Sequence, residues 1–474
     1  MDLAIVDTLA LTMADDRLGV LENATIGIDD GELVYVGPSS GFEGEPDRTI
    51  DASGRLTMPG LVNAHTHLGL TLCRGGAQDV PEIEWMNRAL GPLIEHANAE
   101  DHVVGSRLGG LEALRSGVTT VGEYAANVEQ LVDRSLEPLG LRVVATETIN
   151  AVAESSADLG PDDAYPLDEE AGAAALERNE TLFEAYADHA RVSCLYGPQA
   201  LDMVPRSILE TIRERADAYD RGIHMHVAQG DRERRQIEAR YGSGATTVGV
   251  LEELGLVSDR LLAVHLHGAT SDEREHLAAA GVRMAANPSS IAAIDGVTPP
   301  LCEYREYGGV AGIGTDQAPG TGGHDLLREL RTASLLSKTD RGDPTAFPAW
   351  TALRVGTIEG ARALGIDDLV GSLEVGKRAD VVCYDLDHPA VAPTVSRPLH
   401  TAVPNLVYGA SGGLANTVIV DGEVVLEDRS ATTVDEASVL EEADDRATAL
   451  FDRAATDWEA AGSELVARVE DGWL

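Results

Sequence analysis

Lysine is nearly absent from this chain. Lys338 and Lys377 are the only two lysines in 474 residues, whereas acidic residues number 80 and the formal net charge is −44. Nucleic acids and anionic membranes bind basic surfaces, so this charge argues against both as partners. Because so large a charge is tolerated best where salt screens it, the composition indicates an extreme halophile with a salty cytoplasm.

Long apolar runs and paired cysteine motifs are also missing. No run reaches transmembrane length, and the N-terminus, MDLAIVDTLALTMADD, lacks the basic segment that begins a signal peptide. The four cysteines are Cys73, Cys194, Cys302 and Cys383, and they contain no CxxC pair. We therefore expect a cytoplasmic protein with reduced, separate thiols.

Two β-rich segments flank a long middle part of the chain. Residues 1–57 contain short strand-like runs such as ATIGID and DGELVYVG, and residues 366–434 contain hairpin signals such as ANTVIVDGEVVLED. Together they predict one small β-sandwich domain built from both chain ends. Residues 435–474 are acidic and rich in alanine, and their pattern predicts a helical tail.

The middle part, residues 58–365, alternates eight strand candidates with helical stretches. In chain order the candidates are LVNAHTHL, VTTVGEY, RVVATETI, VSCLYGPQ, IHMHVAQ, LLAVHLHG, RMAANPSS and VAGIGTDQ. Strands that alternate with helices indicate a parallel sheet, and eight such units favour an α/β fold of the (β/α)8 TIM-barrel type over an open doubly wound sheet. Glycines stand just before several of these strands, as expected of helix stops: Gly117, Gly140, Gly222, Gly281 and Gly309.

Ionisable residues fall at the ends of the predicted strands, where the chemistry of such barrels lies. His65 and His67 end the first strand, His226 the fifth, His265 the sixth and Asp316 the eighth. Because residues i and i+2 of a strand face the same side, His65 and His67 both project into the barrel mouth. A divalent cation with nitrogen and oxygen ligands removes the cost of burying such groups without partners. Zinc is preferred and iron(II) is the alternative, and the sequence does not choose between them.

The motifs and their order resemble the amidohydrolase superfamily over nearly the whole chain. The segments that carry the resemblance are PGLVNAHTHLGLTLCRG, SGVTTVGE, IHMHVAQ, LLAVH, NPSS, GIGTDQA, TIEGARALGI and GSLEVGKRADVVCYDL. The similarity is closest to the cytosine-deaminase-like branch, which contains S-adenosylhomocysteine/methylthioadenosine deaminases and s-triazine hydrolases. This resemblance implies the split β domain, a small heterocyclic substrate and a homo-oligomer of unknown size.

The resemblance also implies a role for each residue at the strand ends. His65, His67, His226 and Asp316 resemble the ligands of a single divalent ion. Asp316 also resembles the base that takes a proton from the metal-bound water. His265 resembles the residue that polarises this water and stabilises the oxyanion.

Other candidate ligands rank lower. His224 and His267 alternate with His226 and His265 along the same strand candidates, so they are the residues most easily mistaken for the site histidines. A centre bridged by a carbamylated lysine is excluded because Lys338 follows the eighth strand and Lys377 lies in the β domain. Cys194, on the fourth strand, is interpreted as a buried structural thiol rather than a bridging ligand. The sequence therefore predicts a mononuclear site.

Three positions depart from the family pattern around one pocket. Gln229 stands where deaminases of this branch carry the glutamate that protonates the ring nitrogen, and an amide donates a hydrogen bond but does not shuttle a proton. Gln199 replaces the histidine of a GPH motif, and Ala286 replaces the histidine of HNPSS. These changes indicate an altered substrate or proton route. Glu123 and Glu147, at the ends of strands two and three, are candidate replacement acids, with solvated carboxylates as the alternative.

Substrate contacts are predicted from fewer signals. Glu84 and Trp85 match the loop that contacts the sugar or ring substituent in nucleoside deaminases, although Trp85 could equally pack that loop. Gln199 is a further candidate contact. His324, in GTGGHD, either faces the pocket or only begins a helix.

The leading hypothesis is a metal-dependent hydrolase that removes an amino group from a nitrogen heterocycle. A purine nucleoside or base, such as S-adenosylhomocysteine or methylthioadenosine, is the expected substrate. The alternative within enzymes is a chlorohydrolase or alkylaminohydrolase of triazine-like rings, since those relatives share the ligand set. A non-catalytic metal-binding scaffold is the hypothesis from another class; Gln229 favours it, whereas the intact set of Asp316 and His265 opposes it.

Overall fold

The computed structural model describes residues 1–153 and 164–474 of the chain. Its strands are β1 (Leu3–Leu11), β2 (Val20–Asp29), β3 (Glu32–Pro38), β4 (Arg48–Asp51), β5 (Arg55–Pro59), β6 (Leu61–Thr66), β7 (Val118–Ala125), β8 (Arg142–Ile149), β9 (Val192–Pro198), β10 (Ile223–Val227), β11 (Leu261–His265), β12 (Arg283–Ala286), β13 (Val310–Ile313), β14 (Val381–Asp385), β15 (Ala415–Val420), β16 (Glu423–Glu427) and β17 (Ser430–Ala431).

Helices fill most of the remaining described chain. The α-helices are α1 (Glu82–Glu84), α2 (Gly91–Glu95), α3 (Ala99–Ser116), α4 (Val128–Leu131), α5 (Glu169–Ala185), α6 (Arg206–Tyr219), α7 (Asp231–Tyr241), α8 (Thr247–Glu253), α9 (Ser271–Ala279), α10 (Pro288–Ile294), α11 (Leu301–Glu306), α12 (Ala318–Thr321), α13 (Leu326–Arg341), α14 (Ala349–Val355), α15 (Ile358–Leu364), α16 (Ala402–Gly409), α17 (Glu436–Ala461) and α18 (Glu464–Glu470). Two 3-10 turns, Ser39–Gly41 and Leu68–Cys73, and two π-helical turns, Trp85–Leu90 and Val132–Leu136, complete the set.

Strands β6 to β13 form one parallel sheet in chain order, and this sheet closes on itself. Thr66 at the end of β6 pairs with Asp316, which follows β13. The Asp316 backbone N–H donates to the His65 carbonyl, and the His67 N–H donates to the Asp316 carbonyl, both at 3.0 Å. The predicted (β/α)8 barrel is confirmed, and each of the eight strand candidates is a barrel strand.

The helices between barrel strands bury one face each, as α6 illustrates. Its buried residues, Ile208, Leu209, Ile212 and Ala216, recur at the spacing of one helical stripe. Such a stripe packs on the outside of the barrel and leaves the charged residues of the helix in solvent. The 3.6-residue period therefore explains why this segment lies between two strands as a helix.

The predicted helix stops are correct in part. Gly117 ends α3 with a left-handed φ of 97°, a conformation that favours glycine. Before β10, however, the left-handed residue is Asp220 rather than Gly222, and before β13 it is Gly308 rather than Gly309. In both cases the helix ends three residues before the glycine that the sequence pattern indicated.

A separate mixed sheet joins the two chain ends. Its strand order is β17-β16-β15-β14-β5-β1-β2-β3, and β4 pairs with β1. The contact between the halves is the antiparallel pair of β5 and β14, where Met58 lies opposite Val382. Ile5, Ile28 and Val381 share its buried core. The predicted β domain from both chain ends is confirmed, while its division from the barrel after residues 57 and 365, and from the tail after residue 434, stays a prediction.

The C-terminal residues form helices α17 and α18, as the sequence indicated. Val439, Ala443, Leu450 and Ala454 are the buried residues of α17. Leu450 belongs to the same apolar cluster as Trp85 and Leu93, so the tail packs on the segment that contains α1 and α2. In the described parts of the chain, no helix combines the length and the apolar character needed to cross a membrane.

Two leucines of α17 offer a matched test of this packing. Leu450 is 1% exposed and Leu440 is 56% exposed. We expect Leu450→Ala to lower the free energy of unfolding by about 2–4 kcal/mol, because it leaves a cavity against the α1–α2 segment. Leu440→Ala should change it by less than about 0.5 kcal/mol. Urea unfolding in concentrated KCl, followed by tryptophan fluorescence, measures both, and equal effects would contradict the packing described here.

Candidate metal centre

Three histidines converge at the open end of the barrel. His65 and His67 come from β6 and the residue after it, and His226 comes from β10. One ring nitrogen from each lies within 4.8 Å of the others. The sequence prediction that His65 and His67 face the same point is borne out by this geometry, because their ring centroids are only 4.7 Å apart.

The orientation of His67 and His226 is fixed by hydrogen bonds to backbone carbonyls. His67 Nδ1 lies 2.7 Å from the Tyr124 carbonyl oxygen, and His226 Nδ1 lies 3.0 Å from that of Gln199. A carbonyl only accepts, so in each case Nδ1 carries the proton. The Nε2 lone pair of each ring therefore points into the space between the three histidines.

His65 is oriented by a second imidazole. Its Nδ1 lies 2.9 Å from His224 Nε2, and His224 Nδ1 lies 3.0 Å from the Thr146 hydroxyl. His65 Nε2 is buried and has no hydrogen-bond partner among the described residues. His224 thus lies behind His65, which agrees with its lower rank as a ligand.

Asp316 contributes an oxygen on the opposite side of the histidines. Its Oδ1 lies 3.5 Å from His67 Nε2 and 3.7 Å from His65 Nε2. The Ser290 hydroxyl donates to Oδ2 at 2.5 Å, which leaves Oδ1 facing the imidazoles. Burial raises the pKa of this carboxyl group.

The donor set fits a divalent metal ion. Three imidazole nitrogens and one carboxylate oxygen are the usual ligands of zinc and of other divalent transition metals. Burial lowers the pKa of His226 to about 3 and that of His65 well below its ordinary value, so both rings are neutral, as a ligand must be. The buried, unpartnered Nε2 of His65 is the atom that most needs such an ion.

His265 stands beside this centre with both ring nitrogens free of hydrogen-bond partners in the described chain. Its ring centroid is 5.4 Å from that of His226 and 6.1 Å from that of His65. His267 lies farther out, and its Nε2 is 3.6 Å from Asp295 Oδ2. Burial lowers the pKa of His265 well below its ordinary value, so its ring is neutral and one nitrogen is available to a ligand.

A cavity of about 610 Å³ opens above these side chains. His67, His226, His265 and Asp316 line its floor. Trp85, Gln199 and Gln229, which the sequence nominated as substrate or catalytic residues, also line the cavity. Its volume is within the range of small-molecule sites and is large enough for a nucleoside.

Glu84 is not brought to the cavity. Its carboxylate accepts the backbone N–H of Glu464 in the C-terminal tail. Glu82 lines the cavity instead. Residues 82–84 form a single helical turn, in which positions two apart point in nearly opposite directions, so only one of the two glutamates can face inwards.

His324 is also placed outside the cavity lining. It is fully buried, with Nδ1 3.0 Å from the Thr315 hydroxyl and Nε2 3.2 Å from the Thr71 hydroxyl. Both ring nitrogens are therefore engaged with side chains beneath the barrel mouth. A substrate role for His324 conflicts with this position, which ties the loop after β13 to the turn after β6.

The candidate replacement acids lie outside the cavity as well. Glu123 accepts hydrogen bonds from the Thr66 hydroxyl at 2.6 Å and from the Leu68 N–H at 3.0 Å, and burial raises its pKa to about 7. Glu147 accepts from Arg178 Nε at 2.9 Å and from a backbone N–H. The carboxylates that do line the cavity are Glu82, Glu95, Asp295 and Asp316. Of these the sequence singled out only Asp316, although Glu82 lies in the same EIEW motif as Trp85.

No lysine or cysteine of the chain lines the metal centre in the described structure. Cys194 Sγ lies 3.7 Å from the Leu182 carbonyl oxygen on the helical side of β9, and burial raises its pKa to about 12. Lys338 Nζ donates to the Ser334 hydroxyl at 2.7 Å, and Lys377 Nζ donates to a serine hydroxyl of the β domain at the same distance. Neither residue type can therefore bridge metal ions there, and the single-metal site stays a prediction.

Comparison with known proteins places this site in a family. Residues 56–425 match the model of the amidohydrolase family. The chain belongs to that family. It is 36% identical over 429 residues to a 5-methylthioadenosine/S-adenosylhomocysteine deaminase of Desulforudis audaxviator, covering 90% of this chain and 95% of the relative. It is 33% identical over 455 residues to a 5'-deoxyadenosine deaminase of Methanosarcina acetivorans, covering 96% and 99%.

Solved structures show the same fold. An adenosine deaminase from Xanthomonas campestris with bound zinc superposes with a TM-score of 0.85 at 31% identity, covering 96% of this chain and 99% of that one. A zinc complex of an atrazine chlorohydrolase from Arthrobacter aurescens gives a TM-score of 0.83 at 25% identity, covering 94% and 100%. The resemblance inferred from the sequence motifs is confirmed.

Removing one histidine should abolish tight metal binding by this amidohydrolase. We expect His226→Ala to lower zinc affinity by more than about a hundredfold, since it removes one of the converging nitrogens. His276→Ala, at an exposed position on α9, should retain one zinc per chain. Metal analysis after chelation, reloading and dialysis distinguishes the variants, and full zinc content in His226→Ala would refute the assignment.

We expect His224 to increase the affinity for zinc without binding the ion itself. We expect His224→Phe to weaken zinc binding by about 10–100-fold, because it removes the partner of His65 Nδ1. His224→Gln, whose amide can again hydrogen-bond that nitrogen, should recover part of the loss. Competition with a zinc chelator gives the affinities, and far-ultraviolet circular dichroism checks folding. Unchanged affinity in a folded His224→Phe protein would remove His224 from the site.

Proposed function

We propose that this protein is a metal-dependent deaminase that removes the exocyclic amino group of a purine nucleoside. One observation carries the proposal: three histidine nitrogens, the Asp316 carboxylate and the free imidazole of His265 meet at the floor of one cavity of nucleoside size. The names of the relatives that share 33–36% identity over nearly the whole chain support the same reaction.

The proposed ligands of one divalent ion are His65, His67, His226 and Asp316. Zinc is the preferred ion, because two solved relatives contain it and nitrogen ligands suit it. When bound, such an ion lowers the pKa of a coordinated water towards neutrality and so supplies a nucleophile at working pH.

Asp316 and His265 are the proposed acid–base and electrostatic groups. The Asp316 carboxylate takes a proton as water adds to the ring carbon and returns it to the departing amine, so that ammonia leaves. His265, with no competing partner in the described chain, donates a hydrogen bond to the oxygen on which negative charge develops. Ser290 holds Asp316 Oδ2 and leaves Oδ1 for this exchange.

Gln229 and Gln199 are the proposed polar contacts of the heterocycle. Gln229 lines the cavity, and its backbone N–H donates to Glu233 at 2.6 Å, which fixes the start of the loop after β10. Its side-chain amide can donate a hydrogen bond to a ring nitrogen and withdraw charge from it without transferring a proton. Trp85 supplies an apolar face for the base or the sugar.

The two other hypotheses have less support. The chlorohydrolase shares 25% identity with this chain, below the 36% of the deaminase relative. A metal-binding scaffold would use the nitrogen of His65 as a ligand, but it has no use for the buried, unpartnered nitrogens of His265. Assembly as a homo-oligomer, a cytoplasmic location and adaptation to high salt remain predictions from composition and family.

Deamination is tested directly with the zinc-loaded protein in concentrated KCl. We expect adenosine, 5'-deoxyadenosine and 5'-methylthioadenosine to release ammonia and to show the absorbance change of adenine converting to hypoxanthine. Removal of the metal by a chelator should abolish turnover, and zinc should restore it.

A matched pair of aspartate variants tests whether Asp316 is the group that accepts the proton. Asp316→Asn should lower kcat by at least about a hundredfold, because the amide cannot carry a proton. Asp272→Asn, at an exposed position in the first turn of α9, should react like the unaltered protein. Full zinc content without ammonia from any nucleoside would favour the scaffold hypothesis instead.

A further inference from the structure

The permanently charged side chains that line the cavity wall are all acidic. Apart from Asp316 in the floor, the acidic residues Glu82, Glu95 and Asp295 line the cavity, and no arginine or lysine does so in the described residues. Residues 154–163 contain four acidic residues and neither arginine nor lysine. A bound ligand therefore meets carboxylates and no permanently charged cation in the described wall.

A buried cation that contacts this wall is already neutralised. Arg232 donates from Nε to Glu82 Oε1 at 3.0 Å and from Nη1 to Asp202 Oδ2 at 2.6 Å. Its side chain is 5% exposed, and Nη2 has no accessible surface. Glu82 lies between this guanidinium and the cavity, so an anionic group entering the cavity meets the glutamate first.

The histidine farthest from the metal centre in the wall does not supply a positive charge either. His102 Nδ1 lies 3.3 Å from the Gly69 carbonyl oxygen, and burial lowers the pKa of this imidazole. The other lining histidines, His67, His226 and His265, belong to the metal centre. A ligand carboxylate in the outer cavity thus has no cationic partner among the described residues that line it.

Six apolar side chains make up much of the outer wall, beside neutral polar residues such as Asn127 and Asn150. Leu70, Met86, Leu90, Ile94, Leu131 and Met203 line the cavity from segments that follow the barrel strands. The metal centre lies at the strand ends below them, so these side chains surround whatever projects from the heterocycle towards solvent. Ile94 is 39% exposed, which places it at the rim.

We infer that this cavity selects nucleosides whose 5' substituent is apolar or cationic and discriminates against a substituent that carries a carboxylate. An apolar substituent gains from burial against the six side chains. A carboxylate would lose hydration without gaining an ion pair, and it would approach like charges. This inference rests on the deaminase function proposed above and narrows its substrates towards 5'-deoxyadenosine and 5'-methylthioadenosine and away from S-adenosylhomocysteine.

A series of thioethers with tails of similar length tests the inference. The tails on 5'-thioadenosine are butyl, 3-aminopropyl, 3-carboxypropyl and the homocysteine group, and 5'-methylthioadenosine is the reference. We expect the butyl and aminopropyl compounds to keep kcat/KM within about threefold of the reference, and both carboxylate-bearing compounds to fall at least about tenfold. The zinc-loaded protein is used throughout, and equilibrium dialysis measures binding in parallel.

The outcomes separate the two proposals. Equal kcat/KM for all the tails would leave the deaminase function intact and overturn the inference. Binding that follows the predicted order without any deamination would overturn the proposed function and support the inference. If no nucleoside is either bound or deaminated, both are wrong.

A positively charged side chain placed at the rim of the cavity tests the inference in a second, independent way. Ile94→Arg should raise kcat/KM for the carboxypropyl compound at least about fivefold relative to 5'-methylthioadenosine, because it supplies the missing cation. Ile94→Gln, which is polar but uncharged, should leave that ratio within about twofold. If Ile94→Arg raises this ratio no more than Ile94→Gln does, the lack of a cation is not the cause of the discrimination against carboxylates.

Discussion

The closure of the barrel determines the geometry of the site. The backbone of Asp316 exchanges hydrogen bonds of 3.0 Å with His65 and His67, so the residues that carry three of the proposed metal ligands also close the sheet. These main-chain bonds fix the backbone of Asp316 opposite the two imidazoles, and the Ser290 hydroxyl orients its carboxylate. A shift in the register of either strand would displace all three donors together, which is why a closed sheet suits a site that tolerates little error in position.

The same strand ends store backbone strain. Ala228, His265 and Asp316 have left-handed φ values of 51°, 80° and 59°, which non-glycine residues rarely adopt. Each such residue costs about 1–3 kcal/mol and persists only where its surroundings over-determine it. Here the strained residues lie at the end of barrel strand six and within three residues after strands five and eight, where the chain must turn while its side chains still face the cavity. The stability lost at these positions is offset by the buried barrel beneath them.

The sequence predicted those features of the fold and the site that depend on the local pattern of apolar and polar residues. Apolar runs of strand length and the HxH spacing predict the barrel and the convergence of His65 and His67, because both depend only on the two-residue repeat of a strand. The choice between Glu82 and Glu84 depends on the phase of a single helical turn, which no periodicity reveals. His324 depends on two threonines distant in sequence, Thr71 and Thr315, that meet it only in the folded chain.

The residues proposed to catalyse the reaction and those proposed to select the substrate come from different parts of the fold. The floor of the cavity belongs to the barrel strands, whereas much of its wall belongs to the segment from α1 to α2. The tail holds this segment from outside: Leu450 packs in its cluster, and the Glu464 N–H binds Glu84. The wall is fixed by side-chain packing, whereas the backbone of the floor is fixed by main-chain hydrogen bonds. The wall can therefore change its charge and shape without disturbing the proposed metal ligands, which is the basis on which we propose that a wall without cations distinguishes one nucleoside tail from another.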